Sequence, residues 1–255
     1  MKKIPYPFMN PLLKGKKLNV SHREKIYIKK FGNISNFKIW VVNGEYIRKN
    51  ICEDFVNAGQ HYAFKFIPKN EFWISKEFSS KEEKFYIDHL LIENRLMKRG
   101  FSYDNAYDAA AKNEKTERMR TKTAKKLRKM KLKKEILKKI HKKILIKIGD
   151  LKIWLIHGEF VRDEFLTEFY AGGHDLVYHF VPKNEVWIDD DISLRERKFI
   201  IIHELRERVM MSSGLTYREA HFIATELEDY SRKHPKNVGK VLEKLKGEIQ
   251  KQKLF

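Results

Sequence analysis

The chain repeats itself, and that repetition limits its folds more than any other feature. Lys38-Ile39-Trp40 returns as Lys152-Ile153-Trp154, and Pro68-Lys69-Asn70-Glu71 with Trp73-Ile74 returns as Pro182-Lys183-Asn184-Glu185 with Trp187-Ile188. The offset is 114 residues, and it also joins His89, Glu93, Met97, Gly100 and Tyr103 to His203, Glu207, Met211, Gly214 and Tyr217. Whatever one copy folds into must therefore be available to the other. One segment aligns by letters only with a slip of one residue, pairing Ala58-Gly59-Gln60-His61 with Ala171-Gly172-Gly173-His174 and so His61 with His174.

Each copy has the same order of signals. In the second, KILIKI (143–148) and LKIWLIHG (151–158) read as two strands joined at Gly149-Asp150, which favours a hairpin. After a less certain stretch, LVYHFVP (176–182) and EVWIDDD (185–191) alternate in the manner of strands, turning at Pro182-Lys183-Asn184. Two helices follow. Ser193 with Glu196 and Thr216 with Glu219 have capping-box spacing, and Ser212, Ser213 and Gly214 break the pattern between them. Strands followed by helices predict an α+β fold: two tandem copies of a small antiparallel sheet with a helical hairpin, joined by a long basic helix. The expected division is a basic N-terminal tail (1–23), a first repeat (24–118), a basic helical connector (119–142), a second repeat (143–232) and a C-terminal helix (233–255). Val238, Val241, Leu242, Leu245 and Ile249 fall at helical spacing, so that last helix should pack back on the chain or pair with a partner.

The helical hairpin of the second copy carries the candidate chemistry. His203 and Glu207, four apart, share one helix face. Folding the hairpin at about Ser213 brings His221 level with Leu205, midway between them. Two imidazoles and one carboxylate with an open fourth position form a ligand set for zinc, with non-haem iron as the alternative. His203-Glu204-Leu205-Arg206-Glu207 with downstream His221 resembles the zincin metallopeptidases. That resemblance implies His203 and His221 as ligands and Glu204 as the base that activates water, and it implies a zinc-dependent hydrolase acting on an amide. Glu207 departs from the zincin pattern, which has histidine there. The W-I-D, H-E-L-x-E and Y-x-x-A-H wording is also similar to that of uncharacterised phage and archaeal proteins, a likeness that implies no activity.

The first copy keeps His89 and Glu93 but has Leu90 in place of Glu204 and Tyr107 in place of His221. This reads as an intact unit beside a degenerate one; alternatively, the His–Glu pairs are packing positions shared by both copies. Three more positions are candidates for supporting or substrate-contacting roles. His174 could approach the site as a fourth ligand or lie on a surface turn, Arg162 could pair with Glu207 or Glu228, and Glu228 lies two turns beyond His221 on the same face.

A single cysteine, Cys52, excludes an internal disulfide framework and a cysteine-based zinc site, and suits a cytoplasmic protein. No apolar run is long enough to span a bilayer. The abundance of Lys, Ile and Glu hints at a thermophilic source. The net charge is +20, and residues 112–148 hold 17 Lys and Arg against three glutamates. Leu127, Met130, Leu137, Ile140 and Ile144 predict an amphipathic helix there, running on from the first repeat. Lys122, Lys125, Lys126, Arg128, Lys129, Lys133 and Lys134 would line its polar faces and meet nucleic-acid phosphates. An anionic membrane surface or a merely solvated linker would use the same charges. Two functions are therefore expected: a metal-dependent hydrolase working near or on nucleic acid, or a non-enzymatic nucleic-acid-binding protein with the hairpins as scaffold.

Overall fold

The computed structural model describes residues 18, 20–52, 54–78, 82–121, 124–125 and 133–252. They form an α+β protein with two four-stranded sheets, each followed by a helical hairpin. The chain separates into two compact units: one contains residues 130–161 and 169–255, and the other contains the first repeat with Arg162–Glu168.

In the first unit, helix α1 (Val20–Ile26) leads directly into β1 (Tyr27–Ile34), which pairs antiparallel with β2 (Phe37–Val42). Helix α2 (Gly44–Asn50) and the short strand β3 (Ala58–Gln60) intervene before β4 (Glu71–Ser75). The sheet order is β1-β2-β4-β3, with β2 and β4 parallel and β3 antiparallel at the edge. The sheets are thus mixed rather than antiparallel throughout. A parallel pair needs a long crossover, and residues 43–70 supply one. Ile26, Val42, Ile47, Phe55, Phe64, Ile67 and Trp73 form the core under this sheet. Helices α3 (Glu83–Lys98) and α4 (Tyr103–Arg118) complete the unit, turning at Gly100, whose φ of 90° is left-handed.

The second unit repeats the plan. Helix α5 (Lys133–Ile140) enters β5 (His141–Ile148), then come β6 (Leu151–Ile156), helix α6 (Gly158–Glu164, whose last three residues belong to the first unit), β7 (Gly172–His174) and β8 (Glu185–Asp189), ordered β5-β6-β8-β7. Helices α7 (Leu194–Ser212) and α8 (Tyr217–Lys233) form its hairpin, turned at Gly214 with φ 98°. Thr216 and Glu219 make a complete capping box. At Ser193 only half the device is present: the serine accepts from the Glu196 amide, but the Glu196 carboxylate is drawn inward to Arg232. Helix α9 (Val238–Gln252) packs back on α7, burying Leu245 and Ile249 and pairing Glu248 with Arg206 at 2.9 Å.

Two further sequence expectations need correcting. Residues 176–182 are successive turns rather than a strand; Val177 and Tyr178 both donate to the His174 carbonyl, and Val181 donates to Tyr178. Their alternation reflects ring packing, with Tyr178 and Phe180 stacked at 5.3 Å and both set against Phe169. The predicted continuous basic helix is also interrupted, because α4 ends at Arg118 and Ile144 lies in β5, paired with Trp154. Of the proposed phosphate contacts, Lys125 is exposed, Lys122, Lys126, Arg128 and Lys129 fall outside the described residues, and Lys133 and Lys134 open α5. Among the described residues no helix is long and apolar enough to cross a membrane.

Candidate metal centre

Strand register fixes which residues of the two copies correspond. Ala58, Gly59 and Gln60 pair with Ile74, Trp73 and Phe72, while Gly172, Gly173 and His174 pair with Ile188, Trp187 and Val186. The offset of 114 therefore holds through this segment, and the counterpart of His174 is Gln60, not His61. His61 instead turns its Nδ1 to the Ile67 carbonyl at 2.7 Å.

The hairpin arithmetic does bring His203, Glu207 and His221 together. His221 Nδ1 lies 2.7 Å from Glu207 Oε2 and 3.2 Å from His203 Nε2, and His203 Nε2 lies 3.6 Å from Glu207 Oε2. Metal–ligand bonds of about 2.0–2.1 Å at tetrahedral angles place neighbouring ligand atoms roughly 3.3 Å apart. The triangle fits one cation of that kind. Its supports fit as well: His203 directs Nδ1 to Glu228 Oε2 at 2.8 Å, which keeps a proton on Nδ1 and makes Nε2 the nitrogen that faces the triangle.

Glu228 is held in turn by Arg232 at 2.7 Å, and Arg232 also grips Glu196 at 2.7 Å, all in the interior. The first unit has the same chain of partners: His89 to Glu114 at 2.9 Å, Glu114 to Arg118 at 2.8 Å, and Arg118 to Glu82 at 2.5 Å. Sequence reasoning missed both arginines and both outer glutamates. The repeat carried the signal, since Glu82/Glu196 and Arg118/Arg232 obey the same offset. Arg162, expected beside Glu207 or Glu228, instead binds Glu82 within the first-repeat unit. Arg232 fills the place foreseen for it because, at i+4 from Glu228, it reaches the carboxylate along the same helix.

His174 is fully buried, not on a surface turn, and its Nε2 lies 3.1 Å from Glu207 Oε1. Glu204 is 8 % exposed and makes no hydrogen bond among the described residues. It packs against β7, where a Cβ on Gly172 would stand 3.0 Å from Glu204 Oε1. The first copy has alanine at that place, opposite Leu90. Glu204 is thus accommodated by a backbone position without a side chain.

The electrostatics follow from burial and pairing. Burial opposes the charged forms of His203 and Glu207, but their mutual attraction at 3.6 Å, with the hydrogen bonds to Glu228, His174 and His221, outweighs it. His203 stands well above the usual imidazole value, and Glu207 falls well below the usual carboxylate range. Glu204 has no such compensation. Burial first, and the Glu207 charge second, push its pKa up to about 8.

In the first unit Tyr107 packs edge-on against His89 at 4.8 Å, where His221 packs against His203 at 4.7 Å. His89 is raised to about 9, burial being outweighed by Glu114 and Glu93. A folded-state value above the unfolded one of about 6.5 gives stabilisation that is complete below pH ~6.5 and is lost as pH rises through ~9. The expected loss is on the order of 3 kcal/mol. Comparing urea unfolding of the protein and of His89→Gln across that window checks it; identical pH slopes would refute the linkage.

Three groupings among the described residues bring ligand atoms within 4.8 Å of one another: His203/Glu207/His221, His174/Glu204/Glu207 and Asp189/Asp190/Asp191. The aspartates already serve the local turn, Asp189 accepting from the Asp191 amide and Asp190 from the Gly158 amide, with Lys142 on Asp190 at 2.8 Å. No family model, curated protein or solved structure matches this chain.

Proposed function

We propose that the C-terminal unit is a zinc-dependent hydrolase centred on His203, Glu207 and His221. The observation that carries this reading is the triangle of ligand atoms at 2.7, 3.2 and 3.6 Å, with Nδ1 of His203 committed to Glu228 so that Nε2 faces the triangle. A bound divalent cation lowers the pKa of a coordinated water toward neutrality. Glu204, buried and without a competing hydrogen bond, would be the group that takes a proton from such a water and returns it to the leaving group, its carboxylate ionised once the cation's charge offsets the burial that raises its pKa. The side chain of His221 is the most open of the three ligands, 24 % exposed, so substrate reaches the centre from the α8 side. An amide is the substrate suggested by the likeness of His203-Glu204-Leu205-Arg206-Glu207 to the zincin motif. The basic charge of residues 112–148 supports action close to a polyanion such as nucleic acid.

The test begins with elemental analysis of untagged protein, expected to yield one zinc per chain that is lost in His221→Ala. Glu204→Gln should keep that zinc while hydrolysis of a peptide library falls at least a hundredfold. Absence of metal after incubation with zinc would end this reading. Stoichiometric iron would keep the centre and redirect its chemistry.

A further inference from the structure

Resting on the centre proposed above, we infer that His174 is a positioning residue for Glu207 and not a ligand. The competing possibility is real, since His174, Glu204 and Glu207 also lie close enough to hold a cation of their own. The polarity of the His174 ring decides between them. Its Nδ1 receives the backbone N–H of Leu176 at 3.2 Å. An amide N–H can only donate, so Nδ1 is bare and the ring proton sits on Nε2, pointing at Glu207 Oε1. Because the Leu176 N–H occupies Nδ1, the Nε2 proton of His174 cannot pass to the other ring nitrogen, as the proton between His221 Nδ1 and Glu207 can when a cation enters, so Nε2 has no lone pair to offer a metal.

The first unit tells the same story with different chemistry. Gln60 occupies the equivalent register position, accepts from the backbone N–H of Tyr62 with Oε1 at 2.9 Å, and donates with Nε2 to Glu93 Oε1 at 2.6 Å. Tyr62 and Leu176 are themselves separated by the repeat offset. The amide orientation is forced, because a carboxylate only accepts and a backbone N–H only donates. Both side chains thus bridge the same turn to the same helix carboxylate with the same polarity. Only one histidine tautomer can imitate glutamine in this way, and it is the tautomer that does not bind metal through Nε2. In the second unit the donation anchors Glu207 Oε1 and leaves Oε2 facing His203 and His221.

The experiment compares zinc affinity of the full-length protein, His174→Gln and His174→Ala by competition with a chromophoric chelator. It also includes long-range ¹⁵N NMR of the His174 ring with and without zinc. Expected are a His174→Gln affinity within about threefold of the parent, a His174→Ala affinity roughly 10- to 100-fold weaker, and a His174 ring that keeps its Nε2 proton when zinc is added. A second zinc equivalent lost in His174→Gln, a His174→Gln variant as weak as His174→Ala, or a ring protonated on Nδ1 would each overturn the inference. Failure of the parent protein to take up zinc at all would instead overturn the metal centre, and the positioning role with it.

Discussion

Replacing Arg232 by alanine should destabilise the C-terminal unit by about 3–5 kcal/mol, the usual consequence of stripping one partner from a buried ion pair. The guanidinium is 2 % exposed, holds Glu196 and Glu228 together and lies over the Phe199 ring at 4.8 Å. Without it two carboxylates remain in an apolar interior. Glu228 keeps only His203, and Glu196 loses the contact that draws it away from the α7 N-terminus. The damage should be local, so amide hydrogen exchange over residues 194–233 is the appropriate readout. Protection there should fall by about two to four orders of magnitude, while residues 83–118 are unaffected. A change of less than tenfold would mean that the charges are solvated or neutralised in some other way.

If the C-terminal centre holds zinc as proposed, Tyr107→His should give the chain a second one. The first unit already has every other part of the triangle and its support. His89 Nε2 lies 3.6 Å from Glu93 Oε2, the same separation as in the second unit, and Glu114 and Gln60 hold His89 and Glu93 as Glu228 and His174 hold their counterparts. The Tyr107 and His221 rings stand at nearly equal distances from their histidines, and each has a tyrosine one turn earlier, Tyr103 or Tyr217, at 5.6 and 5.5 Å. Titration with zinc should rise from one to two equivalents, without new hydrolysis, because Leu90 provides no base. A single equivalent would show that two imidazoles and a carboxylate on this scaffold are not sufficient, and would count against the C-terminal centre as well.

Much of this arrangement was legible in the sequence because it is local or periodic. The i, i+4 relation of His203 and Glu207 and the short turn at Gly214 place His221 by helix geometry alone. The β7 strand was misread for the opposite reason. With only three residues, its register is set by hydrogen bonds to β8, so matching letters aligned His174 with His61 where the register makes Gln60 its counterpart. Leu176, Tyr178 and Phe180 alternate as a strand would, but consecutive turns also place every second ring in the core. The parallel pairing of β6 with β8 was not legible either, since strand direction depends on where a crossover returns and not on the pattern within a strand. Arg118 and Arg232 share the repeat offset with several other charged pairs, such as Lys84 and Lys198, and burial is what distinguishes them.

The equal register of the two sheets makes the molecule its own control. At the cation-sized cluster, the copies share a histidine, a glutamate and the carboxylate and arginine behind them, and differ at Gln60/His174, Leu90/Glu204 and Tyr107/His221. Both clusters sit in one tube, at one temperature and one ionic strength, in strictly equal amounts. A spectrum that separates His89 from His203 therefore compares a site with its own blank, and needs no second preparation to do so.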